Sequence, residues 1–345
     1  MTEVAEPMPE APPAHTRGEP IVELRQLAVE YDTGDEAVRA VDCIDLTIHA
    51  GEVVGLAGES GCGKSTVANA VMQILRPPAR IAGGSILFRG DDLVTKKREE
   101  LRRYRWRNVS MVFQSAMNSL NPVMRVGDQF VDMMRAHERV SKKTALVRAG
   151  ELLDVVGIDP RRLRAFPHEL SGGMRQRVII AMALALGPEL LIMDEPTTAL
   201  DVVVQREILQ QVQDLKRDLG FAVLFITHDL SLLIEFADRI AIMYAGEIVE
   251  TAPSARLRSQ PQHPYTRGLL DSFPPLSGPI RRLVGIPGAP PDLADPPAGC
   301  RFHPRCPHCV PEAAALYARQ TTARPARRSA GPEHLVACHL DGANG

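Results

Sequence analysis

Eight residues limit what this chain can fold into more than any others: Gly58-Glu59-Ser60-Gly61-Cys62-Gly63-Lys64-Ser65, directly after the apolar run Val53–Ala57. The spacing is G-x-x-x-x-G-K-[ST]. With a strand before it and a helical pattern after it, that spacing wraps a phosphate. Glycines let the backbone curl so that its N–H groups face an anion, a geometry that side chains would obstruct. The helix beginning near Lys64 adds the partial positive charge of its N-terminus. Lys64 is expected to reach the β- and γ-phosphates of a nucleotide and Ser65 to ligate Mg²⁺, with Thr66 as the last residue of the set. Cys62 sits at a variable position of the loop, where a tolerated small residue is a better reading than redox control.

A second half-site stands at Leu190-Leu191-Ile192-Met193-Asp194-Glu195, four strand residues followed by two carboxylates. Adjacent acids in an apolar setting are costly unless charge compensates them. Mg²⁺ would compensate Asp194, leaving Glu195 to orient and deprotonate an attacking water. A helix-capping acid pair is the alternative. Runs 53–57, 109–113, 190–193 and 223–227 are the candidate strands, each followed at once by polar or Gly-rich residues. Strand and helix patterns alternate from 21 to 250. The fold class is therefore α/β with a largely parallel sheet, its ligand site at the carboxyl ends of these strands. Residues 96–187 are mostly helical in pattern and begin with a basic run whose simplest reading is a solvated helix face.

Phosphate loops occur in many NTPases, so the deciding residues are Leu170-Ser171-Gly172-Gly173-Met174-Arg175-Gln176. Ser171 and two glycines at a helix start make a second anion nest, which one nucleotide does not need. Here the chain resembles the ATP-binding cassette (ABC) family of P-loop NTPases over residues 21–250. The resemblance implies that Ser171, Gly172 and Gly173 clamp ATP held on a partner's phosphate loop. It also implies an antiparallel β subdomain and a helical subdomain. Tyr31 resembles the residue that stacks on adenine, with a buried strand tyrosine as the alternative. Gln114 resembles the Q-loop glutamine, able to contact Mg²⁺ or the attacking water. Thr198-Ala199-Leu200-Asp201 resembles the D-loop, and His228 the switch histidine at the γ-phosphate. Met174 departs from the usual glutamine. The stretch 170–184, LSGGMRQRVIIAMAL, closely resembles the D-type ATPase subunits of oligopeptide and dipeptide importers.

Beyond Thr251 the composition turns to Pro-rich loops, which marks a C-terminal extension. The divisions expected are a disordered tail over 1–20, an ATP-binding domain over 21–255 and an extension over 256–345. Gln262-His263-Pro264-Tyr265-Thr266-Arg267-Gly268-Leu269-Leu270, Ile286-Pro287-Gly288 and Gly299-Cys300-Arg301-Phe302-His303-Pro304-Arg305-Cys306 resemble the extension of the same importer subgroup, which also occurs in nickel and some sugar importers. Cys300, Cys306, Cys309 and Cys338 are a candidate tetrahedral zinc or four-iron set. The resemblance favours a [4Fe-4S] cluster over zinc, the third cysteine lies earlier than usual, and His303, His308 or His339 are substitute zinc ligands. Free cysteines are the remaining reading.

Forty basic and forty-two acidic residues give a net charge of −2, which suggests no nucleic-acid partner. No apolar run approaches the ~18 to 20 residues that span a bilayer. The resemblance implies an ATP-hydrolysing subunit on the cytoplasmic face of the membrane. Its partners would be a second, different ATPase subunit, two permease subunits with a coupling helix docked at 115–129, and an extracytoplasmic solute-binding protein. The rival reading is a nickel or other solute importer. A nucleic-acid-associated ABC ATPase is the more distant alternative.

Overall fold

The computed structural model describes residues 18–34, 37–114, 119–196, 201–272 and 285–340. Strand β1 (Pro20–Asp32) pairs with β2 (Ala37–His49), and after β3 (Val53–Ala57) and α1 (Lys64–Val71) the chain returns in β4 (Ala79–Phe88) and β5 (Asp91–Asp92). These strands, without β3, form a four-stranded antiparallel sheet in the order β2-β1-β4-β5. The tail expected over 1–20 lies outside the described residues as far as 17. Its last residues are ordered, since the Glu19 carbonyl accepts from Ala50 N–H at 2.9 Å and Pro20 opens β1.

The next stretch is α2 (Arg98–Tyr104), β6 (Val109–Val112), α3 (Val126–His137), α4 (Lys142–Val155) and α5 (Gly172–Leu184). Then come β7 (Leu190–Asp194), α6 (Val202–Leu219), β8 (Ala222–Thr227), α7 (Leu230–Phe236), β9 (Arg239–Tyr244) and β10 (Glu247–Pro253). The basic run is used for docking as well as solvation. Arg102 pairs with Glu99, whereas Arg105 donates to the Met72 and Gln73 carbonyls at the end of α1 and Arg107 to the His137 carbonyl at the end of α3. Cations suit those C-terminal carbonyls.

The second sheet is built on β9-β3-β8-β7-β6, all parallel. Parallel strands covered on both faces need apolar residues at every position, which explains the unbroken runs. Side chains alternate between two cores. Leu191, Met193, Val223 and Phe225 face the helices α3 to α7, while Leu190, Ile192, Leu224 and Ile226 face α1 and the antiparallel sheet. All eight are at most 1% exposed.

The chain beyond β10 holds α8 (Ser254–Ser259), α9 (Pro264–Asp271), α10 (Ala314–Thr322), β11 (Arg327–Gly331) and β12 (His334–Ala337). The last two strands continue the parallel sheet on its antiparallel side, through Glu250 opposite Val336 and Thr251 opposite Leu335. At that seam the buried Glu250 carboxylate accepts from Gln262 N–H at 2.7 Å and His263 N–H at 2.9 Å, and faces His334 Nε2 at 2.7 Å.

Candidate active site

The loop between β3 and α1 owes its shape to two glycines. Gly58 has φ +156°, and a Cβ there would lie 2.1 Å from the Met243 carbonyl oxygen. Gly63 has φ +107°, and a Cβ there would lie 2.3 Å from the Ala40 carbonyl oxygen. Lys64, 5% exposed, lays its ammonium across the loop and donates to the carbonyls of Gly58 at 2.8 Å and Glu59 at 2.9 Å. A cation thus lies inside a ring of loop backbone, at the start of a helix, where a polyphosphate would be drawn. Burial raises the Cys62 thiol despite the nearby Lys64, so it stays protonated at neutral pH, as a packing residue would.

The carboxyl ends of β7, β8 and β6 supply the rest. Ser65 Oγ donates to Asp194 Oδ1 at 3.2 Å, which ties α1 to the end of β7. Burial raises the Asp194 carboxyl and the Glu195 charge adds to this, against the lowering effects of Ser65 and Lys64. A buried carboxylate and a hydroxyl facing each other are hard oxygen donors that fit Mg²⁺. Glu195 has φ +44°, a left-handed backbone that costs on the order of 1–3 kcal/mol in a non-glycine residue. Its N–H donates to the Ile226 carbonyl at 2.9 Å, and that bend aims its side chain at the loops. Gln114 Nε2 donates to Glu195 Oε2 at 3.0 Å, and His228 Nδ1 lies 3.3 Å from Glu195 Oε1. Three residues expected from separate strand ends therefore meet at one carboxylate.

Tyr31 Oη lies 3.1 Å from Thr66 Oγ1, and Tyr31, Val38 and Ala40 form one wall of a cleft of about 760 Å³. The floor comprises Gly58, Glu59, Ser60, Gly61, Gly63, Lys64, Ser65 and Thr66, and Gln114, Glu195 and His228 stand at its far side. Val38, Ala40 and Leu293 are lining residues that no motif announces, and Leu269 comes from the run 262–270, which marks the extension and not the nucleotide site. The last two belong to the C-terminal part of the chain.

Residues 41–198 match the ABC transporter family, and residues 249–312 match the oligopeptide/dipeptide transporter C-terminal region. The oligopeptide transport ATP-binding protein OppD of Bacillus subtilis (strain 168) is 46% identical over 286 residues, covering 82% of this chain and 80% of that one. This chain belongs to the ABC transporter family. Within the family it carries the C-terminal region named above, and it is an ABC ATPase. The dipeptide transport ATP-binding protein DppD of the same organism is 43% identical over 306 residues, covering 88% and 91% of the two chains. Among solved structures, the dimeric ATP-binding cassette MJ0796 in a post-hydrolysis state bound to ADP and Pi is 28% identical with a TM-score of 0.60. That match covers 68% of this chain and 99% of that chain.

The residues expected to form the signature do not line this chain's own cleft. Ser171 is the N-cap of α5, its Oγ accepting from Met174 N–H at 3.3 Å, with Gly172 and Gly173 in the first turn; none of the three lines the cleft. Met174 packs partly against the core beneath α5. Asp201 likewise caps α6, accepting from Val203 N–H at 3.1 Å and Val204 N–H at 3.0 Å, while Thr198, Ala199 and Leu200 lie outside the described residues.

The metal expectation for the C-terminal cysteines finds no support in the side-chain geometry. Cys300 and Cys338 are buried, and burial together with the neighbouring sulfurs pushes the Cys300 thiol up to about 12. Among the described residues, however, no three of His, Cys, Asp and Glu come together closely enough to hold an ion. Cys306 Sγ accepts from the Gln320 amide at 3.7 Å and Cys338 Sγ from Leu340 N–H at 3.5 Å. His303 Nδ1 and His339 Nε2 face the backbone carbonyls of Cys300 and Ala323. The expected iron–sulfur or zinc site at Cys300, Cys306, Cys309 and Cys338 is therefore not supported among the described residues.

Proposed function

We propose that this ABC ATPase powers uptake of dipeptides or oligopeptides through a membrane importer. The names of its relatives and the matching C-terminal region support the cargo class. The observation that carries the catalytic assignment is Glu195 held between Gln114 and His228 beside the phosphate loop. Lys64 binds the β- and γ-phosphates of ATP, and Tyr31 stacks on the adenine. Ser65 and Asp194, with Gln114 beside them, would hold Mg²⁺, which would neutralise phosphate charge. Glu195 takes a proton from the attacking water, whose oxygen bonds to the γ-phosphorus as the bond to ADP breaks. His228 donates to the γ-phosphoryl oxygens.

Ser171 to Gly173 and Asp201 belong to the neighbouring site, so two ATPase subunits close head to tail around two nucleotides. Their placement away from this chain's own cleft supports that arrangement. The partner is a second, different ATPase subunit, joined by two permease subunits and a solute-binding protein. Among the described residues no helix is long and apolar enough to cross a membrane, which supports attachment through the permeases at the cytoplasmic face. Residues 115–129 are the docking region for a coupling helix; of these, 115–118 lie outside the described residues. Val123 is 80% exposed there, and Phe113, just before that stretch, is 47% exposed.

The test uses the assembled transporter with Glu195→Gln. ATP should still bind, with the ATPase pair locked closed and uptake of labelled peptide stopped. Undiminished turnover would overturn the role of Glu195, and ATP-driven uptake of another solute class in place of peptides would overturn the cargo.

A further inference from the structure

The phosphate loop is held from outside the cassette. Arg305, 246 residues from Glu59, donates from Nη1 to Glu59 Oε2 at 2.7 Å and from Nη2 to Glu59 Oε1 at 3.0 Å. Its side chain is 5% exposed and that of Glu59 26%. The guanidinium is locked in turn: Nε donates to the Pro287 carbonyl at 2.8 Å, and the group lies 5.8 Å from the centre of the Tyr244 ring. A planar fork held at three points defines a direction as well as a charge. Glu59 N–H donates to Tyr265 Oη at 2.9 Å. Tyr265 is fully buried on α9 and packs on Tyr244, with ring centres 4.6 Å apart, and on Phe302 at 5.4 Å.

The same turn reaches the loop a second way. Arg301 donates to the Ala245 carbonyl and pairs with Asp42, and the adjoining Gly246 N–H donates to the Cys62 carbonyl at 2.9 Å. Glu59 is thereby held through its side chain and N–H by the C-terminal region, and through its carbonyl by Lys64. We propose that Arg305 and Tyr265 are positioning residues for ATP: acting through Glu59, they hold the phosphate loop in its binding shape, which makes the C-terminal region part of the nucleotide site. The inference rests on residues 58–65 being the ATP site.

The experiment measures binding of a ribose-labelled fluorescent ATP with Mg²⁺ to the full chain, together with kcat and KM for ATP hydrolysis by the assembled transporter. Arg305→Met and Tyr265→Phe should each weaken ATP binding by about tenfold, the scale of one charge-assisted or buried hydrogen bond, with kcat at saturating ATP retained. Arg305→Lys, which keeps the charge and loses the fork, should recover only part of the loss. Arg305→Met combined with Glu59→Ala should bind no worse than the weaker single variant, since both remove one contact. Wild-type affinity in folded Arg305→Met, or additive losses in the double variant, would overturn the proposal. If thermal melting shows that Arg305→Met does not fold, Tyr265→Phe decides, because it keeps the ring packing; wild-type affinity there overturns the proposal as well. Lys64→Ala separates the two readings. Unchanged binding in that variant sinks the phosphate-loop assignment, whereas weakened binding beside normal Arg305 and Tyr265 variants sinks this inference alone.

Discussion

His228 Nδ1 lies 3.3 Å from Glu195 Oε1, at the carboxyl end of the strand next to the one that carries the glutamate. The imidazole is 63% exposed and the carboxylate 17%, so the histidine is free to turn toward a phosphate while the acid stays fixed. Replacing His228 with Ala should lower kcat for ATP hydrolysis by roughly 10²- to 10³-fold, the cost of losing one donor to developing charge. KM for ATP should move only a few-fold. Steady-state ATPase assays of the assembled transporter check this, and an equal loss in KM with kcat intact would make His228 a ground-state binding residue instead.

The Ser65 and Asp194 pair makes a separate prediction about metal. With Asp194→Asn, the increase in ATP affinity that Mg²⁺ produces in the wild type should shrink by about tenfold, because a buried charged oxygen donor becomes neutral. Affinity measured in EDTA should stay near the wild-type value. Titration of labelled ATP with and without Mg²⁺ reads both quantities, and a full Mg²⁺ response in the variant would remove Asp194 from the ligand set.

A pH effect on stability follows from His263. Burial lowers its pKa from 6.5 to about 4, partly opposed by the Glu250 charge, and its Nδ1 accepts from Tyr265 N–H at 3.1 Å. The native ring is neutral while the unfolded chain takes up a proton below pH 6.5. Stability is therefore complete above pH 6.5 and declines as the pH falls toward about 4, by up to roughly 3 kcal/mol. Asn at this position keeps an N-cap acceptor and does not titrate. Between pH 7 and 4.5 the melting temperature of His263→Asn should fall less than that of the wild type. Parallel curves would show that His263 does not couple protons to folding.

Much of the nucleotide cleft could be read in advance because its parts are local. A phosphate loop, an acid pair and a histidine each follow a short apolar run, and parallel strands bring such run-ends to one edge. The strand ending at Val112, one residue before the expected end, and the one running through Asp194 differ only in their bounds. The left-handed backbone at Glu195 had no signal, since glutamate gives no hint of it. Contacts across 246 residues, such as Arg305 to Glu59, are invisible to spacing, although both stretches stood out as motifs. For the cysteines, closeness in sequence suggested ligation. The positions of their sulfurs depend on how α10 and the turn at Cys300 pack, which no local pattern encodes.

The pairing of β12 with β10 has a consequence for the edge of the larger sheet. Strand β10 would otherwise close the larger sheet with open N–H and carbonyl groups at Glu250 and Thr251, next to a buried carboxylate robbed of His334. Bare strands of that kind recruit other chains. The final hairpin covers that stretch, and a cassette trimmed after residue 255 is expected to self-associate more than the full chain on size-exclusion chromatography.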